Sequence, residues 1–134
     1  MVDEMSDIKV KFILSEGIET QVNGFQQRQA IINPVLVFST PYIPTSLSLA
    51  ISVVISGLTE SEHEVGFKIK NNIKNKTIFE SGLASIEIKD SLDNFVMTAD
   101  LKNIGFENEG EYEVVLTLDG EEYSDTFSLA KREK

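Results

Sequence analysis

A chain of 134 residues with a net charge of −10, a single histidine and no cysteine has the length of one domain, and it can build neither a disulfide, a thiolate metal site nor a cysteine nucleophile. The negative balance opposes nucleic acid and anionic membranes, because phosphate partners are bound mainly through Lys and Arg. The start MVDEMSDIKV is acidic where an export signal is basic and then apolar, and Leu47 to Ile55, the most apolar run, falls short of the roughly 20 residues of a spanning helix, so a soluble cytoplasmic protein is expected.

Ile8, Val10, Phe12 and Leu14 alternate with Lys9 and Lys11, the pattern of a half-buried strand. Gly17 and Asn23-Gly24 break the next stretch. Ala30 to Phe38 is apolar but carries Pro34, which cannot donate to a central ladder, so an edge or bulged strand is expected there. Pro41 and Pro44 then mark a surface connection holding Tyr42 and Ile43. In the next segment Leu47, Leu49, Ile51, Val53 and Ile55 share one face, which predicts the main core strand. Gly57 and the polar Thr59 to Glu64 suggest a hairpin turn into a strand with Val65, Phe67 and Ile69 on one side and Lys68 and Lys70 on the other. One or two weaker strands are expected between Thr77 and Ile88, after the turn at Asn75. Another follows with Phe95, Met97, Ala99 and Leu101 inward.

The last segment, FENEGEYEVVLTLDGEEYSDTFSL from Phe106 to Leu129, is the most informative. Tyr112, Val114, Leu116 and Leu118 alternate with Glu111, Glu113 and Thr117, and Asp119-Gly120 suits a two-residue hairpin whose central residues both need positive φ. Many short strands at roughly ten-residue spacing, with no sustained helical period, predict an all-β chain. The expected fold is an immunoglobulin-like antiparallel β-sandwich of about seven to nine strands. The expected core holds Phe12, Leu49, Ile51, Val53, Phe67, Leu116 and Phe127. Residues 1–134 read as one domain, with 1–6 and 131–134 frayed.

Asn108, Gly110 and Tyr112 match the corner of such sandwiches, in which a tyrosine hydroxyl bonds back to nearby backbone, and Val114 stands where a disulfide-bearing domain would carry cysteine. From the first strand through FSTPYIPTSLSLAISVVISGL, HEVGFKIKN and the closing hairpin, the chain resembles a group of small bacterial and phage-associated proteins gathered as a domain of unknown function. The resemblance implies the immunoglobulin-like sandwich and transfers no catalytic residue, substrate or partner.

His63 lies among Glu60, Glu62 and Glu64 and reads as a surface histidine, since no convergent base or metal ligand is visible. Without a nucleophile elbow or phosphate loop, no enzyme and no cofactor are expected. Eight carboxylates and no base lie between Glu107 and Asp125. Glu107, Glu109, Glu111 and Glu113 allow a calcium reading, but a solvated acidic face opposite Lys68 and Lys70 explains them more simply. The favoured role is a non-enzymatic protein-binding or scaffolding module, acting through Tyr42 and Ile43 or through Glu109, Glu111 and Glu113, with an unknown protein partner and self-association. Two alternatives are an acidic, phage-derived antagonist that occupies a basic site on a nucleic-acid-binding protein, and a calcium-binding sandwich.

Overall fold

The computed structural model describes residues 8–90 and 94–132, and among these the chain forms ten β-strands and no helix. They are β1 (Lys9–Asn23), β2 (Gln26–Pro34), β3 (Val37–Thr40), β4 (Thr45–Ser56), β5 (Glu62–Asn71), β6 (Lys76–Glu80), β7 (Ala84–Glu87), β8 (Phe95–Phe106), β9 (Gly110–Leu118) and β10 (Glu121–Lys131). One sheet has the order β2-β1-β4-β8 and the other β3-β10-β9-β5-β6, with β7 also paired to β5. The pairing of β3 with β10 is parallel. Side chains from both sheets form one core in which Leu49, Ile51, Val53 and Ile55 of β4 meet Ile69, Val114, Leu116 and Phe127. The protein is thus an immunoglobulin-like β-sandwich. Ten strands replace the expected seven to nine because the Ala30–Phe38 stretch, expected as one strand, divides after Pro34 into β2 and β3, and both weaker strands allowed between Thr77 and Ile88 form, as β6 and β7. Phe12 and Phe67 sit at the margin of the core, half-buried.

The hairpin expected between β4 and β5 does not form. The two strands lie in different sheets, β4 between β1 and β8 and β5 beside β9. Leu58, buried in the core, anchors the connection as it crosses the sandwich. Flanked by strands on both edges, β4 buries Ala50 and Ser52 as well as its inward residues, which a hairpin edge strand would not do.

Pro34 ends β2 at the margin of its sheet, where a missing N–H costs no ladder bond. The chain then changes sheet within a few residues. The Val35 N–H donates to the Leu14 carbonyl at 2.9 Å, and the Ser128 N–H donates to the Leu36 carbonyl at 3.1 Å. At the other end of the chain, fraying does not begin at Lys131. That residue pairs with Thr40, and the Arg132 N–H donates to the Thr40 carbonyl at 2.7 Å. Residues 1–6, 133 and 134 of the expected frayed ends lie outside the described residues.

The stretch read as broken at Gly17 is instead the second half of β1. It pairs with β2 from Ser15 opposite Pro34 to Asn23 opposite Gln26. Gly24, at φ 67°, takes the first position of the two-residue turn, where a type II′ hairpin needs glycine. Every residue from 19 to 29 is exposed, so both faces of this ribbon stand clear of the sandwich. Val22 and a fully exposed Phe25 lie at its end.

Candidate functional site

The β9–β10 hairpin turns as its sequence requires, with Asp119 at φ 51° and Gly120 at φ 86°. This left-handed pair turns the Asp119 side chain onto β5. Its Oδ1 accepts the Glu64 N–H at 2.8 Å, and its Oδ2 lies 2.6 Å from His63 Nδ1. His63 is therefore not a surface residue: only 8% of it is exposed. Its Nε2 lies 2.9 Å from the Thr59 carbonyl and 3.3 Å from Ser61 Oγ.

Ser61, His63 and Asp119 thus stand in the order of a hydrolytic triad, but the protons are wrong for one. Such a triad needs a free Nε2 lone pair to accept the serine proton. Here Nε2 faces a carbonyl and Nδ1 a carboxylate, both of which only accept, and neutral imidazole has a single N–H. Both bonds form together only in the imidazolium, which donates from each nitrogen. Burial would lower the His63 pKa, but the bonds to Asp119 and Thr59 and the Asp119 charge outweigh it and hold the group above its ordinary 6.5. Desolvation likewise pushes Asp119 upward, but the His63 bond, the Glu64 N–H and the His63 charge together hold it below 3.8. The pair is a structural clasp between the β4–β5 crossing and the final hairpin.

Its stability contribution has a defined pH window. Because the His63 pKa is raised on folding, that share is fully present below about pH 6.5 and is lost as pH rises through the folded value; the lowered Asp119 pKa adds a share present above about pH 3.8 and lost below it. Asp119→Asn keeps a side chain that tolerates positive φ and can still accept from Glu64, while removing the charge. The midpoint gap between parent and Asp119→Asn is expected to be widest between those two values and to narrow towards alkaline pH. A gap that is constant across the range would show that the clasp carries no charge.

At the opposite corner, Tyr112 is fully buried and donates its hydroxyl to the Asn108 carbonyl at 2.6 Å. Burial raises its pKa above 10.0, with the Asn108 bond opposing and Glu107 adding, so it remains a donor at any ordinary pH. Asn108 Oδ1 accepts from buried Asn71 Nδ2 at 3.1 Å. Asn71 Oδ1 in turn accepts the N–H groups of Ile73 and Lys74 at 2.9 and 3.2 Å. Gly110 has φ 126°, a conformation essentially confined to glycine, and an added Cβ would collide with Ile73. Asn108, Gly110 and Tyr112 thus carry the chain between the two sheets.

The three acidic candidates diverge. Glu109 Oε2 accepts the Lys131 N–H at 2.6 Å, tying the corner to the end of β10. Glu113 lies opposite Lys70 in the register, whereas Lys68 lies opposite Val115 and Glu111 opposite Ser128. Neither lysine forms an ion pair with Glu111 or Glu113 among the described residues. Also among these, no group of three or more His, Asp or Glu side chains could hold a metal ion. In the proline-marked loop the two candidates part company. Ile43 packs against the core, while Tyr42 is 74% exposed and its backbone is pinned to Thr40 Oγ1.

The structure thus defines an all-β immunoglobulin-like sandwich with a clasp at one end, a tyrosine corner at the other, and a projecting ribbon. No helix among the described residues is long and apolar enough to cross a membrane. No family model and no curated protein matches the sequence. Among solved structures, a mutant β-glucosidase from Listeria innocua in complex with laminaribiose is similar at a TM-score of 0.52 and 6% identity, over 96% of this chain and 17% of that one. The β-glucosidase from the same organism in complex with glucose gives a TM-score of 0.52 at 7% identity, again over 96% and 17%. The chain spans a small part of those enzymes, and the likeness is one of fold.

Proposed function

We propose that this is a non-enzymatic, cytoplasmic protein-binding module of the kind found in small bacterial and phage-associated sandwiches, and that its contact element is the β1–β2 arm. The observation that carries this reading is the arm's exposure on both faces from residue 19 to residue 29, ending at Phe25. A lone two-stranded hairpin is marginally stable in water, and an aromatic side chain loses its hydrophobic contribution when fully exposed. A ribbon so arranged gains most by burial against another protein, where an aromatic anchor supplies much of the binding energy. Past Glu19 the arm carries one charge, Arg28, in residues 20–34, so its contact is mainly apolar and polar rather than acidic.

The test compares capture of a partner from native extract by four proteins: the parent, Phe25→Ser with Arg28→Glu, Tyr42→Ala, and Glu109, Glu111 and Glu113 all changed to Lys. Loss is expected with the arm variant, together with weak salt dependence in the parent. If the triple reversal abolished capture and the parent complex dissolved steeply with salt, the contact would be the acidic face instead.

A further inference from the structure

The side of the sandwich opposite β4 is incomplete. β4 pairs with β1 from Lys9 to Ser15, but on the other edge of β1 the pairing with β2 begins only at Ser15, opposite Pro34. Across the gap, β3 pairs with β10 from Ser128 to Lys131. The outer edges of residues 9–14 and 121–127 therefore have no strand partner among the described residues. Backbone groups on a strand point to the same side at every second residue. Since the Leu14 carbonyl and the Ser128 N–H point outward to Val35 and Leu36, the backbone groups of Val10 and Phe12 on β1 and of Glu122, Ser124 and Thr126 on β10 point the same way. The Thr126 N–H is held by its neighbour's side chain, Asp125 Oδ1, at 2.9 Å.

Between these two lips the sandwich opens into a recess of about 510 Å³ lined by Ile8, Val10, Phe12 and Tyr123. A smaller recess of about 260 Å³ continues it toward Leu14, Val35 and exposed Leu36. The lips differ in charge: Lys9 and Lys11 on β1, and Glu121, Glu122 and Asp125 on β10. The arm's strands differ in the opposite sense, Glu16 and Glu19 on β1 and Arg28 on β2.

We propose that this side is a strand-accepting cleft and that its occupant is the β1–β2 arm of a second copy of this chain, an inference that rests on the arm being the contact element. β2 brings a free edge, Arg28, Ile31 and Ile32, and Phe25 at the tip. Laid along β10 it completes the ladder at Glu122 and Ser124, sets Arg28 beside the carboxylates and turns apolar side chains into the recess, which is strand addition to a free edge. Pairing of β10 with the β10 of another copy would set like charges opposite each other, which is unfavourable. Arm and cleft are different surfaces, so the association is head-to-tail and builds an open chain or a ring.

Solution mass over a range of concentrations tests this with two variants. Phe25→Ser with Arg28→Glu disables the arm at exposed positions. Ser124→Pro disables the cleft: it removes an outward N–H while sparing the ladder to β9, and edge strands tolerate proline on that side. The parent is expected to exceed the monomer mass and each variant alone to be monomeric. An equimolar mixture of the two should form a one-to-one dimer and nothing larger, because one supplies only a cleft and the other only an arm. Should Ser124→Pro fail to fold, Glu122→Arg takes its place, and pairing it with Arg28→Glu in one chain should restore association. A parent that stays monomeric, variants that keep the parent's mass, or a mixture that stays monomeric would each overturn the inference. If the parent is monomeric while the arm variant still loses a foreign partner, the cleft assignment falls and the arm reading stands; if the arm variant keeps that partner, the arm reading falls with it.

Discussion

Tyr112→Ala is expected to cost about 3–5 kcal/mol, the range for deleting a buried aromatic ring and leaving a cavity. The ring is packed edge-on against Phe106 at 5.0 Å and stacked on Phe127 at 5.7 Å, and Phe127 also meets Phe38 edge-on at 5.7 Å. Its removal takes one aromatic partner from each of Phe106 and Phe127. Tyr112→Phe separates ring from hydroxyl. It keeps the packing and leaves the Asn108 carbonyl without its donor, which is worth about 1 kcal/mol net. Urea midpoints of the three proteins should fall in the order parent, Phe variant, Ala variant. If parent and Phe variant coincided, the corner bond would contribute nothing and the ring everything.

Leu116→Ala is the second large loss, expected at about 2–5 kcal/mol. Leu116 is fully buried and lies between Phe67 on β5 and Tyr123 on β10 in the register, where β-sheet neighbours cannot close over the gap without breaking their ladders. Leu116→Met preserves volume and should cost less than about 1.5 kcal/mol. A fall in midpoint at unchanged denaturant slope would assign the effect to the native core. Equal midpoints for parent and Ala variant would mean that the site collapses freely, against its placement here.

What the residues revealed in advance depended on whether they face a core. Alternation identified the inward faces of β1 up to Leu14, of β4 and of β9, because burying every second side chain is what a sandwich strand does. The same test was blind to the arm, where no face is buried and the side chains of residues 19–29 obey no alternation. Alternation also says which side of a strand is inward but not which sheet the strand joins, so Leu47–Ile55 and Val65–Ile69 looked like a hairpin although they lie on opposite layers. The Asp119-Gly120 turn and the Tyr112 spacing were readable because each is set by local backbone needs. The His63 clasp was not: its two partners, 56 positions apart, meet only because β5 and β9 are neighbours, and among three nearby glutamates the histidine looked solvated. Glu109 was misleading in the same way, since its partner Lys131 lies 22 positions away.

The shared strand β1 gives the arm a mechanical character. Its first half is laced to β4 over Lys9–Ser15, and its second half is one rail of the projecting ribbon. Ladder bonds run perpendicular to the strand axis. A tensile load applied at Phe25 and directed along β1 is therefore carried in shear by all the β1–β4 bonds at once, whereas a sideways load peels the ribbon one rung at a time from its tip. The arm is stiff along its own axis and compliant across it, so a tethered neighbour could swing about the base near Ser15 and Pro34 without drawing on the core.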